Sequence, residues 1–148
     1  MGQAVATKED KRINVTGIPH EAIDGMWGIV VEHIMKGLEF GHGELDIEDV
    51  YRGLKSREMQ LWSAFQTDGE CVASLVTEIF YFGSKKVMRL IVLGGGHING
   101  WLDFLDTLKE WAIENECDRI EAYCRDGMMR RLEPYGYKKL YNLVGVDL

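Results

Sequence analysis

The sequence predicts a single α/β domain built on a mixed, mostly antiparallel central sheet with helices on both faces. Two observations carry this. Between Met59 and Leu93 the chain leaves the helical period and runs through three apolar segments broken by Thr67-Asp68-Gly69-Glu70 and Gly83-Ser84, which reads as a β-meander. On either side of that meander, apolar residues recur at three- and four-residue spacing, the mark of helices with one buried face. The expected order is β-α-α-β-β-β-α-β-α-β.

Each element has its own signal. Residues 1–12 are polar and are expected to form a flexible tail, leaving 13–148 as the domain. Ile13 to Ile18 suits a short strand, ended by Gly17 and Pro19, and Pro19 sits where a helix can start. Ile23, Met26, Trp27, Val30, Ile34, Met35 and Leu38 trace one face of a helix that stops near Gly37. Gly41-His42-Gly43 breaks the chain. Asp46 then caps a shorter helix whose inward face is Ile47, Val50, Tyr51 and Leu54, with Glu48 and Asp49 favouring its positive end. The meander strands are Met59–Gln66, Cys71–Phe82 and Lys86–Leu93. After the glycine-rich stretch Gly94–Gly100, with Asn99 as N-cap, a helix with Trp101, Leu105, Leu108 and Ala112 on one face runs to Asn115. Asp118–Cys124 reads as a strand, with Ile120, Ala122 and Cys124 alternating against Glu121 and Tyr123. Met128–Glu133 is a short helix ended by Pro134. Tyr137 to Val146 is apolar enough for one or two closing strands. A helix between the third meander strand and the next strand implies a parallel crossover, and such crossovers place ligands at the carboxyl ends of strands.

Composition removes several function classes. The chain has 148 residues, 46% hydrophobic and 28% charged, which is ordinary for one globular domain. Cys71, Cys117 and Cys124 are an odd number with no CxxC pair, so a reducing, cytoplasmic setting is expected rather than a disulfide framework. There is no signal-like apolar segment and no run of about 18 apolar residues, so neither secretion nor a membrane partner is expected. A net charge of −7 repels phosphate backbones, and no nucleic-acid partner is expected. One local exception stands out: Arg125, Arg130, Arg131, Lys138 and Lys139 cluster near the end, as a solvated face or as a site for an anion or acidic partner. His20, His33, His42 and His97 lack metal-ligand spacing, so no metal is expected. The tryptophans Trp27, Trp62, Trp101 and Trp111 lie on core patterns, and Cys124 reads as a small buried hydrophobe.

The glycine-rich stretch is the main candidate site. A helix N-terminus presents free N–H groups and the positive end of its dipole, which together attract phosphate, and glycines let the backbone approach a ligand closely. The bland alternative is a tight strand-to-helix turn. A dinucleotide fingerprint does not fit, because the third glycine falls at Gly100 and the turn follows a meander.

The layout from Ile13 onward resembles the GNAT superfamily of N-acetyltransferases. The resemblance rests on three stretches. Val87-Met88-Arg89-Leu90-Ile91-Val92-Leu93 runs into the glycines, the following helix carries Leu105, Leu108, Trp111 and Ala112, and Arg131-Leu132-Glu133-Pro134-Tyr135-Gly136-Tyr137 is similar to the family's closing signature. Arg125-Asp126-Gly127-Met128 through Leu132 to Gly136-Tyr137 further resembles small GNAT-like proteins of tailed bacteriophages, with Met128 in place of an aromatic. The resemblance implies transfer of an acetyl group from acetyl-CoA to an amine by direct attack, with the cofactor held at Val92, Leu93, Gly94, Gly95, Gly96, His97, Asn99 and Gly100. It also implies an oxyanion donor among the backbone N–H groups near Val92 or Leu93, a carboxylate base and a tyrosine acid. Glu78, mid-strand in Val76-Thr77-Glu78-Ile79, is the candidate base, or else an outward strand glutamate; His97 is a rival. The family's acid lies four residues before the closing glycine, which here is Leu132, so Tyr135 is the candidate at a displaced position. The phosphate-loop pattern [Q/R]-x-x-G-x-[G/A] matches in neither register. The contrasting expectation is a GNAT-fold binding or structural protein, of a phage virion or its assembly, with Trp101, Met128 or a partner filling the cleft. A homo-oligomer or a phage-protein partner fits either reading.

Overall fold

The computed structural model describes residues 12–41, 43–96 and 99–148, so His42, His97 and most of the polar tail lie outside the described residues. Five strands, β1 (Ile13–Gly17), β2 (Met59–Gln66), β3 (Cys71–Phe82), β4 (Lys85–Gly95) and β5 (Arg119–Ala122), form one sheet in that order. β1 to β4 are antiparallel neighbours and β5 runs parallel to β4, as the crossover helix requires. Gly69 (φ +89) and Gly83 (φ +65) turn the two hairpins, in backbone conformations that side chains disfavour.

Helices α1 (Ile23–Leu38) and α2 (Ile47–Lys55) cover one face of the sheet. They bury Val30, Ile34, Val50 and Leu54 against Leu61, Val76 and Val92. Helices α3 (Leu105–Glu114) and α4 (Asp126–Leu132) cover the other, where Phe104, Leu108 and Leu132 meet Trp62, Leu75, Met88 and Leu90. Cover on both faces explains why the central strands are apolar almost throughout instead of alternating. The Asp46 cap forms as a reciprocal capping box: Asp46 Oδ1 accepts from the Asp49 amide at 2.8 Å, and Asp49 Oδ2 accepts from the Asp46 amide at 3.1 Å.

The structure departs from the sequence reading at four places. Gly94 and Gly95 belong to β4, paired with Ser74 and Ala73, and are not part of a turn. A Cβ on Gly94 would lie 1.6 Å from the His33 carbonyl oxygen, and one on Gly37 would lie 2.4 Å from the Leu93 carbonyl oxygen. Backbone here packs directly on backbone, which only glycines allow. Asn99 does not cap a helix through its side chain. A 3₁₀ turn at Gly100–Asp103 comes first, and α3 begins at Leu105. β5 stops at Ala122, leaving Cys124 exposed rather than buried. Finally, 137–148 carries no strand, although everything before it follows the expected order.

A polar chain crosses the interface beneath α1. His33 Nδ1 lies 3.0 Å from Ser74 Oγ, which lies 3.3 Å from Ser63 Oγ, and both serines are fully buried. Burial, followed by the nearby Lys36 charge, holds the His33 pKa below its usual value. The unfolded chain therefore binds the proton more readily, and stability is lost as pH falls below about 6.5, the ordinary histidine pKa. Thermal melts from pH 7.5 to 5 should show a falling Tm that flattens in His33→Asn. An equal slope in both proteins would assign the loss to other groups.

Candidate active site

β4 and β5 form a fork. Their pairing runs from Val87–Arg119 to Leu90–Ala122 and ends there, while β4 continues through Ile91 to Gly95 without β5 beside it. The strands part at a β-bulge: Val76 pairs with Val92 and Thr77 with Leu90, so Ile91 is an extra residue in β4. A bulge bends its strand and sharpens the local twist, which turns β4 away from its neighbour. Just below the fork, Glu121 (8% exposed) binds both strands. Its Oε1 accepts from Arg89 Nη2 at 2.6 Å and Arg89 Nε at 3.0 Å, and its Oε2 lies 3.1 Å from Arg119 Nη2. Phe80 and Tyr123 flank the Arg89 guanidinium at 4.2 and 5.0 Å from their ring centres.

The free end of β4 borders a hollow of about 480 Å³, lined by Leu93, Gly94, Gly95 and Gly96 on one side and Lys36, Gly37, Glu39 and Phe40 on the other. Among the described residues, leaving out its chain neighbours, nothing lies within 4 Å of where a Gly96 Cβ would stand. Two amides of the expected phosphate cradle are committed inside the protein: Gly96 N–H donates to the Val72 carbonyl at 2.9 Å, and Asn99 N–H donates to Asp103 Oδ2 at 2.8 Å. Positive charge arrives from side chains instead. Lys36 lines the hollow, Arg125 stacks 4.1 Å above the Phe40 ring, and Arg131 Nη2 donates to the Asn99 carbonyl at 3.3 Å. Part of the basic cluster seen in the sequence is thus folded back onto the glycine end of β4.

The predicted site residues fall into separate places. Val92 is buried and Leu93 half-buried at the free end of β4, with Gly94 to Gly96 following, and Gly100 opens the 3₁₀ turn. His97 lies outside the described residues. Glu78 is half-buried on β3, paired by register with Met59 and Arg89. Six residues of β4 separate that level from Gly95, roughly 20 Å at about 3.3 Å per residue, so Glu78 sits level with Arg89 and Glu121, just below the fork, and not at the hollow. Tyr135 is exposed in the 3₁₀ turn Glu133–Tyr135, before Gly136 (φ +91). Tyr137 packs on the core, and burial raises its phenol pKa. Trp101 and Met128 join the core on the α3 face and do not line the hollow. Partial burial of its sulfur, with Asp126 adding to it, raises the Cys124 thiol pKa, which disfavours a thiolate nucleophile. A second concavity, about 500 Å³ between α1 and α2, is lined by Asp24, Trp27, Val31, Ile47, Glu48, Tyr51 and Arg52 and touches no strand.

No family model and no curated protein sequence matches the chain. Solved structures do. A predicted acetyltransferase of Clostridium acetobutylicum solved with acetyl-CoA superposes with a TM-score of 0.64 at 12% identity, over 92% of this chain and 96% of that one. An aminoglycoside acetyltransferase from an uncultured soil metagenomic sample gives 0.67 at 12% identity, over 93% and 99%. The chain has the GNAT fold. A Bacillus halodurans structure described as a transcriptional regulator matches as well, with a TM-score of 0.62 at 14% identity over 93% and 100%, so this GNAT fold is shared by proteins with different names. Among the described residues no helix is long and apolar enough to cross a membrane, and no group of histidine, cysteine or carboxylate side chains is arranged to hold a metal.

Sequence reasoning missed two features of this GNAT-fold site. Lys36 and Phe40 sit at the end of α1, where only the tertiary fold reveals that they face Gly94–Gly96. The Arg89–Glu121–Arg119 clamp couples strands 30 positions apart in sequence. Its only local trace is a glutamate and an arginine on strands otherwise rich in apolar residues.

Proposed function

We propose that the protein is an N-acyltransferase that moves the acetyl group of acetyl-CoA onto an amine by direct attack, in the cytoplasm. The observation that carries this reading is the fork, which opens at the Ile91 bulge, and the hollow at the free end of β4, which Lys36 and Glu39 line while Arg125 lies on Phe40 and Arg131 on the Asn99 carbonyl beside it. The hollow falls within the roughly 300–1,000 Å³ typical of ligand sites, and the open space at Gly96 suits an approaching phosphate. Lys36, Arg125 and Arg131 would hold the phosphates by charge, while Val92 to Gly96 line the path of the thioester arm. Acetyl-CoA supplies the activated acyl group. Glu78, one register step below the point where the strands part, takes the proton from the attacking amine, directly or through water. A backbone N–H near Val92 or Leu93 stabilises developing negative charge on the carbonyl oxygen, and Tyr135 returns a proton to the departing sulfur.

Calorimetric titration with acetyl-CoA tests the reading, using Gly96→Asp as the control. Gly96 is the right position because an aspartate there adds negative charge in open space, whereas Gly95 (φ +120) has the Val72 carbonyl 2.3 Å from its Cβ position and would misfold. The wild type should bind, and the variant should bind at least tenfold more weakly, equivalent to about 1.4 kcal/mol. Absence of heat with the wild type would end the acyltransferase reading. With an amine panel that includes aminoglycosides and polyamines, Glu78→Gln should lower the rate of CoA release by about 10²–10⁴ while acetyl-CoA affinity holds. An unchanged rate would remove Glu78 from the chemistry.

A second reading draws on the committed amides of Gly96 and Asn99 and on Leu132 standing where the family's acid tyrosine falls. It makes the protein a silent GNAT-fold binding or structural component, of a phage particle or its assembly. The same titration separates the two.

A further inference from the structure

Residues 138–148 are all exposed, form no helix or strand, and make no hydrogen bond or ion pair with any described residue. Their composition does not suit solvent. Leu143 is 75% exposed, Val144 89%, Val146 83% and Leu148 118%, with Leu140 and Tyr141 about half exposed beside them. As a strand, this segment would place Leu140, Val144, Val146 and Leu148 on one face and Tyr141 and Leu143 on the other. Apolar residues on both faces are the pattern of a strand inside a covered sheet, not of an edge or a solvated tail.

The same chain offers an edge with matching character. β5 ends the sheet, and the described residues place no strand on its outer side. Yet none of its residues is exposed: Glu121 is buried, and Arg119, Ile120 and Ala122 are half-buried. β1, the opposite edge, exposes Asn14, Thr16 and Gly17 and has the alternation of a true edge strand. β5 is therefore covered on both faces like an interior strand while lacking a neighbour, and 138–148 is apolar on both faces while lacking a sheet. In its own chain the segment stays exposed and unbonded to β5.

We infer that 138–148 is an exchanged strand, which pairs with the outer edge of β5 in a second copy of this chain while the partner's segment pairs with β5 here. Each copy carries one unpaired strand and one unpaired edge, so a two-fold arrangement satisfies both at once and closes the assembly at two. Eleven residues extended span roughly 36 Å, about the width of a small domain, so the segment is long enough to cross such an interface. The exchange would also brace β5, one limb of the fork, from its outer side. It stands independently of the acyl-transfer reading.

Light scattering coupled to gel filtration, together with amide hydrogen exchange, tests this on the full chain. The wild type should have twice the mass of one chain at micromolar concentration, with slow exchange at the β5 amides that face away from β4. Truncation after Tyr137 should give a monomer with those amides exchanging at least tenfold faster. Val144→Pro combined with Val146→Lys, which keeps the full length but blocks strand pairing, should do the same with an unchanged circular dichroism spectrum. A monomeric wild type, a dimer that survives both changes, or β5 exchange rates indifferent to them would each overturn the exchange.

Discussion

Gly94→Ala is expected to cost about 3 kcal/mol or more, a large share of the roughly 5–15 kcal/mol that holds a domain of this size folded. The cause is a backbone contact. The added methyl would fall 1.6 Å from the His33 carbonyl oxygen, and that carbonyl belongs to a helix held in place by Val30, Ile34 and the residues they touch. No rotamer change can relieve it, so either α1 lifts from the sheet or the bulged end of β4 retreats. Gly96→Ala, two residues on and facing open space, should stay within about 0.5 kcal/mol of the wild type. Urea denaturation of the pair checks this. Similar midpoints for the two variants would mean that α1 is not seated as tightly on β4 as described.

Glu121→Ala should cost about 2–3 kcal/mol. Removing one member of a buried charge cluster leaves the others desolvated without a counter-charge, an effect of about 3–5 kcal/mol when burial is complete. The discount reflects the exposure of the arginines, whose side chains keep 21% (Arg89) and 32% (Arg119) of their surface in water. Arg119 Nε, already buried without a partner among the described residues, would gain nothing from the change. Because Glu121 joins β4 to β5 where they part, the loss should also appear as faster amide exchange in β5 than in β2 or β3. Glu121→Gln, which keeps acceptor atoms but not charge, should fall between. Uniform acceleration across the sheet would make the cluster a general stabiliser and not a clamp on the fork.

What could be seen in the sequence divides along the range of the interactions involved. The meander, α1 and α2 were legible because their signals are local: Asp68-Gly69 at a hairpin, Asp46 three residues before Asp49, apolar residues at helical spacing. Gly94 and Gly95 were misplaced because a glycine has no side chain to show strand alternation, and the reason for them is a helix more than 50 residues earlier in the chain. The glycine stretch is recognisable as a candidate site and Arg125 and Arg131 as a basic cluster, but that Lys36, and through Phe40 and Asn99 these two arginines, come near the glycines depends on how α1 and α4 pack on opposite faces. The apolar character of 137–148 was equally plain, but composition cannot say to which sheet a strand belongs.

The contact between Gly37 and Gly94 has a mechanical consequence. Walls made of side chains yield by swinging individual groups aside, whereas a wall of main chain has no such freedom. Along this seam the recess beside Gly94–Gly96 can widen only if the whole of α1 slides or tilts as one rod, carrying Lys36 and Phe40 with it. A guest that presses on the Gly37–Gly94 side, and not on the side chains of Lys36, Glu39 or Phe40, must therefore move the helix as a unit, so that push would be felt at the far end of the rod, near Ile23.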